Sequence, residues 1–418
     1  MPFKFLKSSF FDLRQLGEAA IIKLFMRILI ATFTYSPERN GVSMVAGAHA
    51  NGFLELGHDV TICTGFAQER GGQREISGVP RVYQFKVSGS ANRSWGFDGE
   101  IEEYRKFLAG WDGDVVMFHC WGIWSTDLAI PMLERIKGKK VLISHGFTTH
   151  RYPLNCRFPR GLRTFLGWWQ YNRNAVDVMR HFDRVVFLAD KADQLAYYDH
   201  WLAKKNGFGN ISVISSGVDL EEFDEDLPDF REQFGLGSRP MALCVSNYFK
   251  PKNQLMALQA FAHARVQNAV MVFIGGNLNE YSRKLEEWGI SHGMGDQILL
   301  LERIDRRSVC AAYKAADVVV CSSQWESGPL IVLEAMAART PFVSTDVGFV
   351  SGLPGGLVVK SKEEMGDAIR MFLTDLHRGR AMGIEGRSAC EKRFEWNSII
   401  SQYAGLLENL VSPKTAEK

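Results

Sequence analysis

Two series of short, almost wholly apolar runs, each run followed by a longer amphipathic segment, constrain this chain more than any other feature. The first series is RILIAT (27–32), DVTICT (59–64), DVVMFH (114–119), KVLISH (140–145), RVVFLA (184–189) and ISVISS (211–216). The second is MALCVSN (241–247), VMVFIGG (270–276), ILLLERI (298–304), DVVVCSS (317–323) and PFVSTD (341–346). Strands apolar on both faces belong to parallel sheets covered by crossover helices, because only there do both faces lose water. The intervening segments are helical: Val42, Val45, Phe53 and Leu56 space one that stops before Gly57, and others run over Gln254 to Arg265 and Pro329 to Ala338. The polar, proline-containing stretch 224–240 interrupts the alternation once, as a domain boundary does. The chain therefore reads as α/β, with two Rossmann-like domains at 26–225 and 241–395 joined by a linker at 226–240. Ligands of such sheets bind beyond the carboxyl ends of the strands, so two facing domains enclose a deep cleft.

Residues 1–25 precede the first strand. Leu6, Phe10, Leu13, Ala20 and Leu24 fall at helical steps among Lys4, Lys7, Arg14 and Lys23, a pattern able to lie on a membrane surface. A poorly ordered extension, or a native start at Met26, fits the same residues equally well. Lys23 interrupts the best apolar stretch, so the segment does not span a bilayer, and no small-residue cleavage site follows it.

Charge excludes one broad class. Lys and Arg number 49 against 47 Asp and Glu, a net +2, whereas a nucleic-acid-binding chain is expected to be strongly basic. The seven cysteines show no zinc-ligand spacing, and Cys63, Cys244 and Cys321 sit inside apolar runs as small hydrophobes. A reduced, cytoplasmic compartment is expected. Charge is not evenly spread: residues 151–180 hold six arginines against the single acid Asp177, interleaved with Phe158, Phe165, Trp168, Trp169 and Tyr171. Such a face suits an anionic membrane surface or a phosphorylated or lipid-linked ligand, and a solvated face over packing aromatics fits it as well.

The first strand-to-helix turn, FTYSPERNGVSMV, holds one glycine, Gly41, and lacks the G-x-G-x-x-G fingerprint; no P-loop occurs anywhere. An NAD enzyme or P-loop ATPase is thereby disfavoured. Gly41 opens a helix, where backbone amides can approach an anion closely, although a plain turn glycine would look the same. The richest segment is SSQWESGPLIVLEAMAARTPFVSTD (322–346). Ser327, Gly328 and Pro329 start a helix and leave the amides of Leu330 and Ile331 without intrahelical partners, a ready anion site. Glu334 is the one carboxylate in that otherwise apolar helix, so it must meet a strong partner, either a ligand or, within the core, a cation or a backbone amide. Glu326 lies eight positions earlier, in the loop where ligands of such sheets bind.

In this context Glu326 and Glu334, with seven residues between them, resemble the E-x7-E motif of family 4 glycosyltransferases of the GT-B fold. The likeness runs over nearly all of 26–412, through LGHDVTICTG, SHGFTTH, DRVVFLADKADQL, ISVISSGVDLEEF, FKPKNQLMALQAF and LLERIDRRSVCAAYKAADVVVCSS. It implies two facing Rossmann-like domains, a last helix around Trp396 to Leu410 returning to the first domain, and residues 396–418 as that helix and a tail. By the same resemblance Glu334 binds the ribose of a nucleoside diphosphate sugar, Glu326 contacts hydroxyls of the transferred sugar, and Lys252 neutralises the leaving diphosphate. Leu330, Ile331 and Gly41 offer amides to that diphosphate, with Ser327 and Gly328 at the helix start, and His145 stands beside the reacting centre. His119 is a weaker candidate, and His58 reads as packing. Where many members carry an arginine, this chain has Asn247, and Lys250 is the expected substitute cation. The implied reaction is transfer of a hexose, with retention and without a metal or other cofactor, to a glycan or lipid-linked acceptor in surface polysaccharide or glycolipid synthesis. The setting is the cytoplasmic face of a membrane. A nucleotide-sugar epimerase and a non-catalytic nucleotide-sugar-binding protein remain alternatives on the same fold.

Overall fold

A computed structural model describes residues 24–412 apart from 39, 92–95, 147–159 and 195. Each of the eleven apolar runs forms a strand. The first sheet has the order Ile211–Val213, Arg184–Phe187, Lys139–Ser144, Val115–His119, Arg27–Ala31, Asp59–Gly65, Arg81–Phe85, Glu75–Ile76, parallel except for the last pair. The second runs Ile298–Glu302, Val270–Gly275, Met241–Val245, Val318–Cys321, Phe342–Thr345, Gly356–Val359, parallel throughout.

The strand Arg27–Ala31 shows why the pattern folds this way. Ile28, Leu29, Ile30 and Ala31 are all fully buried, yet alternate residues enter different cores. Ile28 and Ile30 pack with Phe53 of the helix Gly41–Glu55 and with Ile399, Ile400 and Tyr403 of the helix Trp396–Val411. Leu29 and Ala31 pack on the opposite face with Tyr104, Phe118 and Met179. Burying each such large side chain stabilises the fold by about 1.5–3 kcal/mol. The last helix thus packs against the first sheet although it follows the second in sequence.

Three strands of the two sheets lie outside the apolar series. Glu75–Ile76 is a two-residue edge strand; Arg81–Phe85, next to it, has its apolar signal diluted by the exposed Arg81 and by Gln84; Gly356–Val359 is a four-residue edge strand led by glycine. A separate hairpin pairs Val87–Ser90 with Gly96–Gly99. The polar stretch before residue 241 is well packed: Phe230 and Leu236 are buried in the same core as Met241, together with Val218, Leu220 and Phe223. Among the described residues no helix is long and apolar enough to cross a membrane.

Candidate active site

In each sheet the order reverses direction beside the first strand of its series: Arg27–Ala31 lies between Asp59–Gly65 and Val115–His119, and Met241–Val245 between Val270–Gly275 and Val318–Cys321. Loops diverge there and leave a crevice. The two crevices meet in one cleft of about 1100 Å³, lined from the first sheet's side by Gly41, His145 and Ser216, and from the second's by Asn247, Lys252, Glu326 and Glu334.

Two loops of the second sheet are tied together at its crevice. The Ser322 hydroxyl donates to the carbonyls of Lys252 (3.1 Å) and Asn253 (3.0 Å), and the Gln324 amide to that of Pro251 (2.8 Å). That places Lys252 Nζ 2.5 Å from Glu326 Oε1, which also accepts from the Ser323 hydroxyl at 2.7 Å. Both ends of the ion pair are half-buried, so solvent screens it only partly. Glu334 meets the strong partner its burial requires: Arg306 Nη1 lies 2.5 Å from its Oε1. Arg306 in turn donates through Nε (3.0 Å) and Nη2 (2.7 Å) to Glu222, beside the boundary between the two sheets' segments. Burial lowers the Arg306 pKa, but the charges of Glu334 and Glu222 outweigh it and hold the guanidinium above its ordinary value. Glu334 therefore has its core cation and still lines the cleft.

The helix Leu330–Ala337 begins at Pro329, which supplies no side-chain cap, so the amides of Leu330 and Ile331 open onto the cleft. The opposing helix differs. Asn40 caps it, accepting from the amides of Val42 (3.1 Å) and Ser43 (3.0 Å), so two of its first amides are already occupied and Gly41 stands between them and the cleft. Asn247 also lines the cleft, its Oδ1 accepting from the Gly276 amide at 3.0 Å. Lys250 corrects the sequence reading: it is exposed and is not among the cleft's lining residues, because the turn that carries Lys252 inward points its neighbour two positions earlier outward. Among the described residues, the arginines and lysines that line the cleft besides Lys252 are Arg303 and Arg306. Neither was singled out from sequence. The only signal for Arg306 was the requirement that Glu334 find a cation.

The two sides approach closely around the motif. Gly146 has φ +102°, and a Cβ built there would lie 2.6 Å from Ser327 Oγ; one built on Gly328 would lie 2.7 Å from Ser216 Oγ. The Tyr197 hydroxyl donates to the Glu326 carbonyl (2.9 Å) and accepts from the Gly348 amide (2.5 Å), and Lys191 pairs with Asp346. Burial raises the Tyr197 pKa to about 12, so the phenol keeps its proton. Tyr197 and Lys191 lie in or beside DRVVFLADKADQL, but nothing in their local pattern marks them as bridging residues. Gly146→Ala is expected to cost about 1–3 kcal/mol from backbone strain alone. A melting temperature unchanged from wild type would show that the loops yield without resistance.

His145 follows the strand Lys139–Ser144 and lines the cleft. Its Nε2 lies 3.2 Å from Nδ1 of His119. Burial lowers its pKa to about 4, so the ring is neutral at pH 7. His58 is buried, as a packing residue would be. The stretch 1–23, and 151–159 of the arginine-rich segment, lie outside the described residues. In the helix Arg160–Arg180 the aromatics divide: Trp168 is buried and Tyr171 donates to Asp127 (2.5 Å), whereas Leu166 and Trp169 are exposed, with Arg173 4.8 Å over the Trp169 ring. Burial raises the Asp127 pKa to about 6 against hydrogen bonds from Tyr171 and the amides of Ala91 and Gly122.

The sequence model described as Glycosyltransferase Family 4 matches residues 39–222, and that described as Glycosyl transferases group 1 matches 227–388. Together they cover the second sheet, all of the first but its strand Arg27–Ala31, and most of the cleft's lining residues. This chain belongs to glycosyltransferase family 4. A curated relative, the GDP-mannose-dependent alpha-(1-6)-phosphatidylinositol monomannoside mannosyltransferase of Mycobacterium tuberculosis, is 26% identical over 47% of this chain and 56% of its own length. The chain spans about half the length of the curated relatives it matches. The GT-B fold is shared with the sucrose-phosphate synthase of Thermosynechococcus elongatus, at a TM-score of 0.74, 19% identity and coverage of 92% and 99% of the two chains. It is shared too with Anabaena HepE in complex with UDP-glucose, at a TM-score of 0.68, 15% identity and coverage of 92% and 100%. The expected fold class, two Rossmann-like domains of the GT-B type, is thus correct.

Proposed function

We propose that this chain is a retaining hexosyltransferase that moves a sugar from a nucleoside diphosphate donor to a hydroxyl of a glycan or lipid-linked acceptor. The observation that carries the reading is the convergence in one cleft of Lys252, the uncapped amides of Leu330 and Ile331, and the carboxylates Glu326 and Glu334. Leu330, Ile331 and Lys252 form a cradle for a diphosphate, with Gly41 closing it from the opposite side. Glu334 takes the ribose, its geometry fixed by Arg306. Glu326, held by Lys252 and Ser323, faces the transferred sugar. His145 stands on the acceptor side. Amides and a lysine are not ligands for a divalent cation, which favours a diphosphate neutralised without metal. Since Glu326 is spent on a cation and a hydroxyl, attack on the same face as the departing phosphate, with that phosphate taking the acceptor's proton, suits the site better than a covalent sugar-enzyme intermediate.

The exposed Leu166, Trp169 and Arg173 support an acceptor presented at an anionic membrane surface from the cytoplasmic side. So does the lipid acceptor in the name of the mycobacterial relative. Thermal unfolding in the presence of UDP-, GDP- and ADP-sugars tests the donor. Ligand at 100 times its Kd stabilises by about 2.7 kcal/mol. A shift with one nucleotide class is expected, and no shift with any would overturn the reading. Donor isomerised in the absence of acceptor would replace transfer by epimerisation.

A further inference from the structure

Behind His145 the first sheet carries two histidines that the cleft chemistry leaves unused. His119 is fully buried at the end of the strand Val115–His119, and His49 is 1% exposed within the helix Gly41–Glu55. Nε2 of His145 lies 3.2 Å from Nδ1 of His119, and Nε2 of His119 lies 3.3 Å from Nδ1 of His49. The file ends there: Nε2 of His49 is buried without a hydrogen-bond partner. Its ring packs against Tyr403 (centroids 4.3 Å), Trp396 (5.9 Å, edge-on) and Phe53 (6.1 Å). Leucines would fill this volume with no polar atom to satisfy, so three imidazoles in line need a reason beyond packing.

We propose that His119 and His49 are positioning residues that fix the tautomer of His145, holding its proton on Nε2 so that Nδ1 is offered to the cleft as an acceptor for a sugar hydroxyl. The proposal rests on His145 belonging to the active site.

Burial keeps all three rings neutral: it lowers the pKa of His49 to about 3, that of His145 to about 4, and that of His119 well below the usual value, with the neighbouring rings adding to it. A neutral imidazole has one donor and one acceptor nitrogen. If His119 donates through Nε2, its Nδ1 can only accept, so both ring-to-ring bonds must point the same way. Two directions satisfy this rule, and the far end decides between them. With the protons pointing away from the cleft, Nε2 of His49 carries a hydrogen among aromatic rings, whose faces are negative and attract it weakly. With the protons pointing toward the cleft, a bare lone pair is buried there, and the Tyr403 hydroxyl, itself without a partner, does not donate to it. The first direction is favoured, and it leaves His145 with a hydrogen on Nε2 and a lone pair on Nδ1. An imidazole in the wrong tautomer cannot do its work however well it is placed.

The test is ring-nitrogen NMR on the full chain labelled with 15N-histidine, with His145 assigned by its loss in His145→Ala. The ring shifts separate a protonated nitrogen from a bare one. In the wild type, His145 is expected to be protonated on Nε2 alone. In His119→Leu it should become a mixture of tautomers, and in His119→Asn, whose amide reaches the Nδ1 position and can accept, the single tautomer should return. A wild-type His145 protonated on Nδ1, or an unmixed one in His119→Leu, overturns the proposal. If His119→Leu does not fold, His119→Phe keeps a ring in that place without an acceptor at Nδ1 and should give the same mixture. Release of nucleotide from whichever UDP-, GDP- or ADP-sugar stabilises the protein gives the kinetic arm. His119→Leu should lower kcat about 10- to 100-fold with little change in donor KM, and His119→Asn should recover most of it. A fixed tautomer together with full transfer by His145→Ala would leave the histidine file standing and remove His145 from the active site.

Discussion

Replacing Lys252 with methionine is expected to slow sugar transfer by about 10²- to 10³-fold, the loss that follows removal of one donor aimed at developing negative charge. The lysine sits on the turn Lys250–Lys252, at the point where the second sheet reverses direction, and its ammonium is 2.5 Å from Glu326. Before reaction that charge is balanced by the carboxylate. As the bond to the diphosphate breaks, new charge appears beside it, and a cation already in place stabilises the transition state without reorganising. Methionine keeps the stem's length and apolar packing, so the change isolates the charge. A purely structural pair predicts a different pattern. Glu326 would then be left half-buried and unpaired, stability would fall, and the rate per folded molecule would not. The double variant Lys252→Met with Glu326→Gln separates the two. Under the structural account it regains wild-type behaviour, whereas under the catalytic one it stays as slow as the single variant or slower. A rate within a factor of about three of wild type for Lys252→Met would remove the lysine from the chemistry.

The strands that could be read from the sequence were those buried on both faces, where every residue from Ile28 to Ala31 had to be apolar. The ones that could not lie at or next to a sheet edge: Gly356–Val359 is an edge on which packing asks less of the sequence, and Arg81–Phe85 mixes Arg81 and Gln84 into its run. The site divides on similar lines. Glu334 announced itself as a lone carboxylate in an apolar helix, and the need for a partner was legible, but Arg306 was not, because 28 positions separate the pair and only the fold brings them together. Lys250 and Lys252 were indistinguishable as letters. A single turn sends one to solvent and the other into the cleft. His119 and His145 lie at comparable strand ends in adjacent strands, yet their hydrogen bond depends on register, and His49 comes to them from a helix. Tyr197 reaches from the first sheet's side to a backbone carbonyl on the second's, a contact that leaves no trace in side-chain pattern.

Arg306→Leu is expected to destabilise the protein by about 3–5 kcal/mol, the usual result of removing one partner from a buried ion pair. Glu334 is then a carboxylate held at 6% exposure with no countercharge, and Glu222 loses both of its hydrogen bonds from the guanidinium. For a domain of this size each kcal/mol lowers the melting temperature by about 2–4 °C, so a fall of about 6–20 °C is expected. Glu334→Gln is the gentler change, because the amide oxygen still accepts from Arg306. Its main consequence should be on the donor: a hydrogen bond from a ribose hydroxyl to a charged acceptor contributes about 1.5–3 kcal/mol, so donor affinity should drop by about 10- to 100-fold. The pair of variants separates holding the fold from holding the ligand. If Glu334 served only to neutralise Arg306, Glu334→Gln would lower the melting temperature and leave donor affinity unchanged. If it serves the ribose as well, affinity falls far more than stability does, and the double variant Arg306→Leu with Glu334→Leu recovers most of the lost stability while binding donor no better than Glu334→Gln. Wild-type donor affinity in the double variant would place the ribose elsewhere in the cleft.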